Sequence, residues 1–382
     1  MSGDDRGDLG PLARRVPEAL RIGVAYHVPQ PPNLRAKLDA NELPYPLPAE
    51  LRARLGAALA EVALERYPDP NARTLRALLA DQLGVAGDQI TFGNGSDECI
   101  AFLIAAFSAP RASTQFGAAR LHRERPAAVL YPAPSFVYYR IAAIAHGVEP
   151  IEVPLTPRFE LDEGAIVRAV ETHKPSVVFL ALPNNPTGTL WRMDFAAELA
   201  ARHRDLVVVS DEAYAAYSGK SNLPALAAHP NLVVMRTLSK VGMAGMRVGF
   251  TIAAPAIAEL LEKVRPPYNL SSLDQRAATF LLTEGRAWCE ARAAEVVTER
   301  QRLAENLAAL RGVEVFPSEA NLLLVRFAGD GKASRVWQGL AERGIVVRNF
   351  DRPGTPLAGC LRITVGTPDE NKLLVEALHA LA

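Results

Sequence analysis

The chain has 382 residues, 49% of them hydrophobic, with 42 basic and 42 acidic side chains and a formal net charge of zero. That length exceeds what one core readily fills, so a large domain with a smaller companion is expected, and the balanced charge argues against nucleic acid or a membrane surface as the main partner. Cys99, Cys289 and Cys360 are too far apart for a metal site or a disulfide framework and read as buried, inert thiols in a reducing cytoplasm.

Residues 1–11 read as unstructured and without the features of a signal peptide, and Leu12–Ile22 carries a short helical pattern. No apolar stretch reaches the roughly 18 residues of a membrane helix. The proline-rich stretch 28–48 runs as extended backbone able to cross between domains. Helical periodicity covers Ala49–Glu65 and Asn71–Leu83, with Gly84 as C-cap and a turn presenting Tyr67 between them.

From residue 89 the pattern alternates. A strand at Gln89–Phe92 leads through Gly93-Asn94-Gly95-Ser96-Asp97-Glu98 into an apolar helix, Cys99–Phe107. A glycine loop feeding a helix N-terminus offers free amides and a positive dipole end to a phosphate, although Ser96 and Asp97 would equally serve as caps. Strands are expected at Ala128–Tyr131, Glu149–Val153, Ser176–Leu182, Leu206–Ser210 and Leu232–Met235, separated by helices near 136–146, 162–173 and 194–203. Apolar strands alternating with helices point to a mostly parallel α/β sheet whose ligands sit beyond the carboxyl ends of the strands. The basic connection 108–126 reads as a surface excursion.

The loop after the last of these strands carries Thr237-Leu238-Ser239-Lys240 and a glycine-rich run ending at Arg247. Lysine forms Schiff bases when desolvation or a neighbouring cation lowers its pKa, and Ser239 and Arg247 suit a phosphate. After Pro266 come a long alanine-rich helical stretch over 272–309, strands at Val313–Phe316, Asn321–Phe327, Ile345–Arg348 and Cys360–Val365, a helix over 333–342 and a last helix from Pro368. This is a smaller α+β unit, joined in space by the N-terminal segment.

The segments KLDANELPYP, RYPDP, GNGSDE, PSFVYY, PNNPTG, SDEAY, RTLSKVGMAGMRVGF, SEANLLLVRF, GIVVRNF and GCLRITVGT, in that order, resemble the fold-type I aminotransferases that use pyridoxal 5'-phosphate, and within them the histidinol-phosphate aminotransferases. The resemblance runs from about residue 24 to the end. It implies a large cofactor domain over 48–270 with helices on both faces of its sheet, a small α+β domain over 271–382, and an N-terminal arm over 1–47 that joins the small domain.

By the same resemblance, Lys240 bonds the cofactor and shuttles the substrate proton, and Asp211 keeps the ring nitrogen protonated. Asn185 and Tyr214 bond the ring's phenolic oxygen, and Phe136 stacks on the ring in place of the more usual tyrosine. Ser96, Asp97, Ser239, Arg247 and a partner subunit's Tyr67 hold the phosphate, which implies a homodimer with composite sites. Arg348 and Arg362 take the phosphate of histidinol phosphate or the carboxylates of glutamate, while Tyr26, Asn321 and Glu42 line the substrate pocket. An aromatic amino-acid aminotransferase or a threonine-phosphate-type decarboxylase would share these residues. A regulatory module would need a basic helix-turn-helix ahead of the resemblance, and the residues there are too few.

Overall fold

The structure, a computed structural model, describes residues 33–108 and 127–381 together with residues 11, 14 and 16. Tyr26, most of the helical pattern at 12–22 and residues 109–126 of the basic excursion lie outside them.

In chain order, β1 (Ala36–Leu38) precedes α1 (Ala49–Ala60) and α2 (Arg73–Leu83). The alternating region follows as β2 (Ile90–Asn94), α3 (Ser96–Phe107), β3 (Ala128–Ala133), α4 (Tyr138–Ala145), β4 (Glu149–Pro154), α5 (Glu163–His173), β5 (Val177–Ala181), α6 (Asp194–Arg202), β6 (Val207–Asp211), the short α7 (Ala215–Ser218), β7 (Leu232–Thr237) and β8 (Val248–Ile252). The chain closes with α8 (Pro255–Val264), α9 (Ser272–Thr283), α10 (Arg286–Ala308), β9 (Val313–Val315), β10 (Leu322–Phe327), α11 (Lys332–Glu342), β11 (Ile345–Asn349), β12 (Cys360–Thr364) and α12 (Pro368–Leu381).

Seven strands form one sheet in the order β2-β8-β7-β6-β5-β3-β4, parallel except for β8, which runs antiparallel to both its neighbours. Its central strands are apolar on both faces because both faces are covered. Val178, Leu180, Val208 and Val234 enter one core, and Val177, Phe179, Val207, Val209, Val233 and Met235 enter the other, the alternation a pleated strand imposes. Each such side chain contributes about 1.5–3 kcal/mol by leaving water.

The second sheet has the order β1-β11-β12-β10-β9 and is antiparallel apart from β1, which pairs parallel with β11 (Ala36 opposite Ile345, Leu38 opposite Val347). The extended N-terminal stretch is thus a strand of the sheet built by the far end of the chain. Gly84 ends α2 in the left-handed conformation at φ 66°, as its position suggested.

The helical stretch expected over 272–309 is two helices broken at Gly285, where a β-carbon would lie 2.6 Å from a Leu281 methyl. The first of them, α9, packs Ala278, Phe280 and Leu281 into the core of the larger sheet, so the unit expected to begin at residue 271 lends its first helix to its neighbour. Further along, α10 passes from that core at Cys289 to the smaller sheet's core at Leu303 and Leu307. The three cysteines are buried and free. No helix among the described residues is long and apolar enough to cross a membrane.

Candidate active site

The parallel strands β5, β6 and β7 end at the same edge of the sheet, so the loops after Ala181, Asp211 and Thr237 share one crevice. Strand β8, absent from the expected elements, completes it. Because β8 runs the other way, its first residue Val248 pairs with Asn94, the last of β2, and Arg247 is returned to the crevice beside Gly95. The Gly95 amide donates to the Arg247 carbonyl at 2.6 Å. A cavity there is lined by Ser96, Asp97, Phe136, Asn185, Asp211, Tyr214, Ser239, Lys240 and Arg247, together with Pro183 and Thr237. Nine of the residues expected to serve a cofactor are therefore neighbours.

One end of the cavity suits an anion. Ser96 is the first residue of α3, and no side chain caps the helix; its N-cap is Gly95 at φ 78°. The leading amides face the crevice with the positive end of the dipole. The Arg247 guanidinium donates to Ser239 Oγ at 3.3 Å and to Asp97 Oδ2 at 2.9 Å. Two glycines allow this crowding: a β-carbon on Gly95 would lie 2.3 Å from that guanidinium, and one on Gly249 would lie 2.3 Å from the Ser96 nitrogen.

The floor is carboxylate. Asp211 ends β6 with 5% of its surface exposed. Burial pushes its pKa up to about 6, against hydrogen bonds from the Tyr139 hydroxyl and the Ala213 amide that favour the charged form. Tyr139 is itself fully buried, its ring stacked 4.8 Å from that of Phe179. The adjoining Glu212 carboxylate is buried under Arg236 at 2.9 Å and bonded by the Asn222 amide at 2.6 Å and the Ser221 hydroxyl at 2.7 Å. That network anchors the 211–214 turn from behind, which fixes where Asp211 and Tyr214 point.

The amine sits above. Lys240 Nζ donates to the Ala40 carbonyl at 3.2 Å and lies 6.0 Å from the centre of the Tyr214 ring. Burial, reinforced by the Arg362 guanidinium, lowers the amine's pKa to about 8. The Tyr217 hydroxyl donates to the Lys240 carbonyl and holds the turn. Tyr214 is buried, and its hydroxyl accepts from Asn41 Nδ2 at 2.9 Å.

The roof comes from the other sheet. Arg362, in the middle of β12 and 7% exposed, donates to Asn185 Oδ1 at 2.7 Å and to the Asp39 carbonyl. Arg348 is its cross-strand neighbour on β11. Asn321 is fully buried and donates to the Asn41 carbonyl at 3.0 Å, and Glu42 pairs with Lys37 at 2.6 Å. None of these four lines the cavity, nor does Tyr67, which is 81% exposed and stacked 4.6 Å from Tyr268. Two contributors escaped the sequence reading. Tyr139 stands one helical turn beyond Phe136 in PSFVYY, their rings 5.7 Å apart, and that spacing was its signal. Asn41 lies within KLDANELPYP but is joined to the site only by contacts across the whole chain.

A model of the family described as aminotransferase class I and II matches residues 36–378. The histidinol-phosphate aminotransferase 2 of Cupriavidus pinatubonensis is 42% identical over 375 residues, spanning 97% of each chain. Among solved structures, histidinol-phosphate aminotransferase from Sinorhizobium meliloti, in complex with pyridoxal-5'-phosphate, has a TM-score of 0.77 at 25% identity and covers 92% of both chains. The same-named enzyme of Clostridium acetobutylicum reaches 0.78 at 23% identity, covering 91% of this chain and 99% of the other, a likeness of fold.

Proposed function

The chain belongs to the class I and II aminotransferase family, and from that premise we propose that it is a histidinol-phosphate aminotransferase: by a ping-pong exchange it moves the amino group of L-glutamate to imidazole acetol phosphate, giving 2-oxoglutarate and L-histidinol phosphate. The observation that carries this reading is one cavity holding a low-pKa lysine, with the α3 N-terminus and Arg247 at one end and, behind the lining residue Asn185, the guanidinium of Arg362 bonded to its amide oxygen.

The enzyme is a pyridoxal-phosphate-dependent transaminase of the fold-type I architecture. The residues present fit that cofactor: a glycine-lined cradle beside Arg247 for a phosphate, a buried carboxylate for a protonated ring nitrogen, and an amine whose pKa of about 8 lets it lose its proton far more readily than an ordinary lysine. When bound, pyridoxal phosphate supplies the electron sink that makes the α-proton of an amino acid removable.

The residues divide the remaining work. Lys240 would hold the cofactor through its amine and, when displaced by substrate, would carry the proton leaving the substrate's Cα, roles its pKa of about 8 suits. Asp211 holds the proton on the ring nitrogen, and Asn185 and Tyr214 donate to the phenolic oxygen. Phe136 packs on the ring. Ser96, Asp97, Ser239 and Arg247 bind the cofactor phosphate with the partner's Tyr67, an assignment supported by the exposure of Tyr67 in the single chain. Arg362 and Arg348 receive the substrate phosphate or a carboxylate, with Tyr26, Asn321 and Glu42 around the rest of the substrate. On this reading the working unit is a homodimer in the cytoplasm, the latter in keeping with three free thiols.

The test is a half-reaction on purified, cofactor-loaded protein, with L-histidinol phosphate and L-phenylalanine added separately and the visible absorbance of the cofactor followed. Rapid loss of the band with histidinol phosphate alone is the expected outcome. Preference for phenylalanine, or carbon dioxide released from a phosphorylated amino acid, would move the enzyme to an aromatic aminotransferase or a decarboxylase.

A further inference from the structure

Residues 39–42 cross from the smaller sheet to the cavity, and Asn41 sits at the centre of the crossing. It is 1% exposed, in the left-handed conformation at φ 55°, between Thr364 on β12 and Tyr214 at the cavity. Its backbone amide donates to Thr364 Oγ1 at 2.9 Å, the Thr364 hydroxyl donates to Asn41 Oδ1 at 3.1 Å, and Asn41 Nδ2 donates to the Tyr214 hydroxyl at 2.9 Å. Thr364 and Tyr214 are 2% and 4% exposed.

One assignment of protons satisfies every group in this chain. A backbone amide can only donate, so Thr364 Oγ1 is an acceptor there and must send its own proton elsewhere; the acceptor beside it is Asn41 Oδ1. That fixes which end of the Asn41 amide is oxygen, and the nitrogen is left facing Tyr214. The reverse orientation of the amide would strand the buried Thr364 proton without its acceptor, an arrangement buried polar groups avoid. Tyr214 therefore accepts from Asn41, and its own proton has no acceptor among the described residues other than what enters the cavity that Tyr214 lines.

We propose that Asn41, oriented by Thr364, is a positioning residue that sets the direction of the Tyr214 hydrogen bond, so that the Tyr214 hydroxyl is held as a donor to the phenolic oxygen of the cofactor. This rests on the proposed function. The charged groups around Tyr214 are Asp211 on the floor, Lys240 above the ring and Arg362 on the roof. None of them supplies the donor that Asn41 does at the hydroxyl. Because Asn41 and Thr364 belong to the smaller sheet's side and Tyr214 to the larger, the polarity of this bond depends on the two sheets being joined.

The experiment is a pH titration of the visible band of the protein loaded with pyridoxal phosphate, with thermal unfolding recorded alongside. Asn41→Asp keeps the shape and tolerates the backbone conformation but offers Tyr214 an acceptor. Asn41→Gly removes the side chain at a positive φ that glycine adopts freely. A donor to the phenolic oxygen favours its charged form, so losing it moves the transition up in pH. The expected shift is about one unit for Asn41→Asp, as for Tyr214→Phe, and less for Asn41→Gly and Thr364→Val, with Thr364→Ser restoring the native value. In a Tyr214→Phe background, Asn41→Asp is expected to add nothing.

Native titration in both Asn41 variants, or an undiminished shift from Asn41→Asp without the Tyr214 hydroxyl, would overturn this inference alone. A native protein that shows no visible band with pyridoxal phosphate would overturn the proposed function and this inference with it.

Discussion

Asp211 lines the cavity and Arg362 stands behind its lining residue Asn185, and the two are held there by different means. Asp211 ends a buried strand, and its partners, the Tyr139 hydroxyl and the Ala213 amide, belong to the same sheet and its adjoining helix. Arg362 stands mid-strand in the other sheet, and it donates to Asn185 Oδ1 and the Asp39 carbonyl, in segments 177 and 323 residues away. The floor is thus a property of one sheet, whereas the roof exists only when the crossing at 39–42 and the loop at 183–188 are both in place. On the proposed function, cofactor roles gather on the floor and at the anion end and substrate roles on the roof, where a change of register or packing would alter specificity without disturbing the cofactor.

The largest expected effect comes from the residue that touches both. Lys240 reaches the roof at Ala40 and the floor beside Tyr214, and Lys240→Ala is expected to remove the visible band of the loaded protein and lower turnover by at least about 10³-fold. A persistent band would show that another amine holds the cofactor.

Arg362→Lys isolates the roof. It keeps the charge but replaces a planar fork by a point donor, so kcat/KM for both phosphate and carboxylate substrates should fall roughly tenfold to a hundredfold. Cofactor titration should be nearly native. Equal losses in cofactor affinity and in kcat/KM would dissolve the distinction between floor and roof.

Tyr139→Phe isolates the floor and is the smallest of the three. Its hydroxyl favours the charged form of Asp211, so its loss should raise a pKa that burial has already pushed to about 6. Cofactor affinity, which needs the carboxylate ionised, should then rise with pH later than in the native protein, with a several-fold loss near pH 6 measured by fluorescence titration. Stability runs the opposite way with pH. In the cofactor-free protein Asp211 titrates above its ordinary 3.8, so its contribution is fully present below that pH and is lost as pH rises through about 6. A pH profile of affinity that does not move would remove Tyr139 from the site.

Much of the larger sheet was legible. The runs VVFLA, VVVSD and LVVM are apolar on both faces, and a strand buried on both faces needs no partner to announce itself. Gly84 as a helix stop, and the loops carrying Asn185, Asp211 and Lys240, were equally local. Strand β8 was not, because VGFTI follows a glycine-rich run without the turn signals that mark a hairpin, and the strand it pairs with on one side, β2, lies far back in the chain, Ile90 opposite Ile252. Three residues of β1 carry too little pattern to distinguish a strand from an extended arm. The break between α9 and α10 depends on how closely Gly285 sits against Leu281, a matter of packing rather than propensity.

By itself the sequence determined which chemical groups the site contains, in what order, and which of them follow buried strands, because side-chain identity and hydrophobic period are local. The tertiary structure alone decided what those groups are able to do. The amine of Lys240 reaches a pKa of about 8 through burial and Arg362, and Asp211 reaches about 6 through burial. The direction of the Tyr214 hydrogen bond follows from Thr364, 323 residues from Asn41. Desolvation and hydrogen-bond polarity are properties of everything that surrounds a group at close range, and close range is established only when distant parts of the chain pack together.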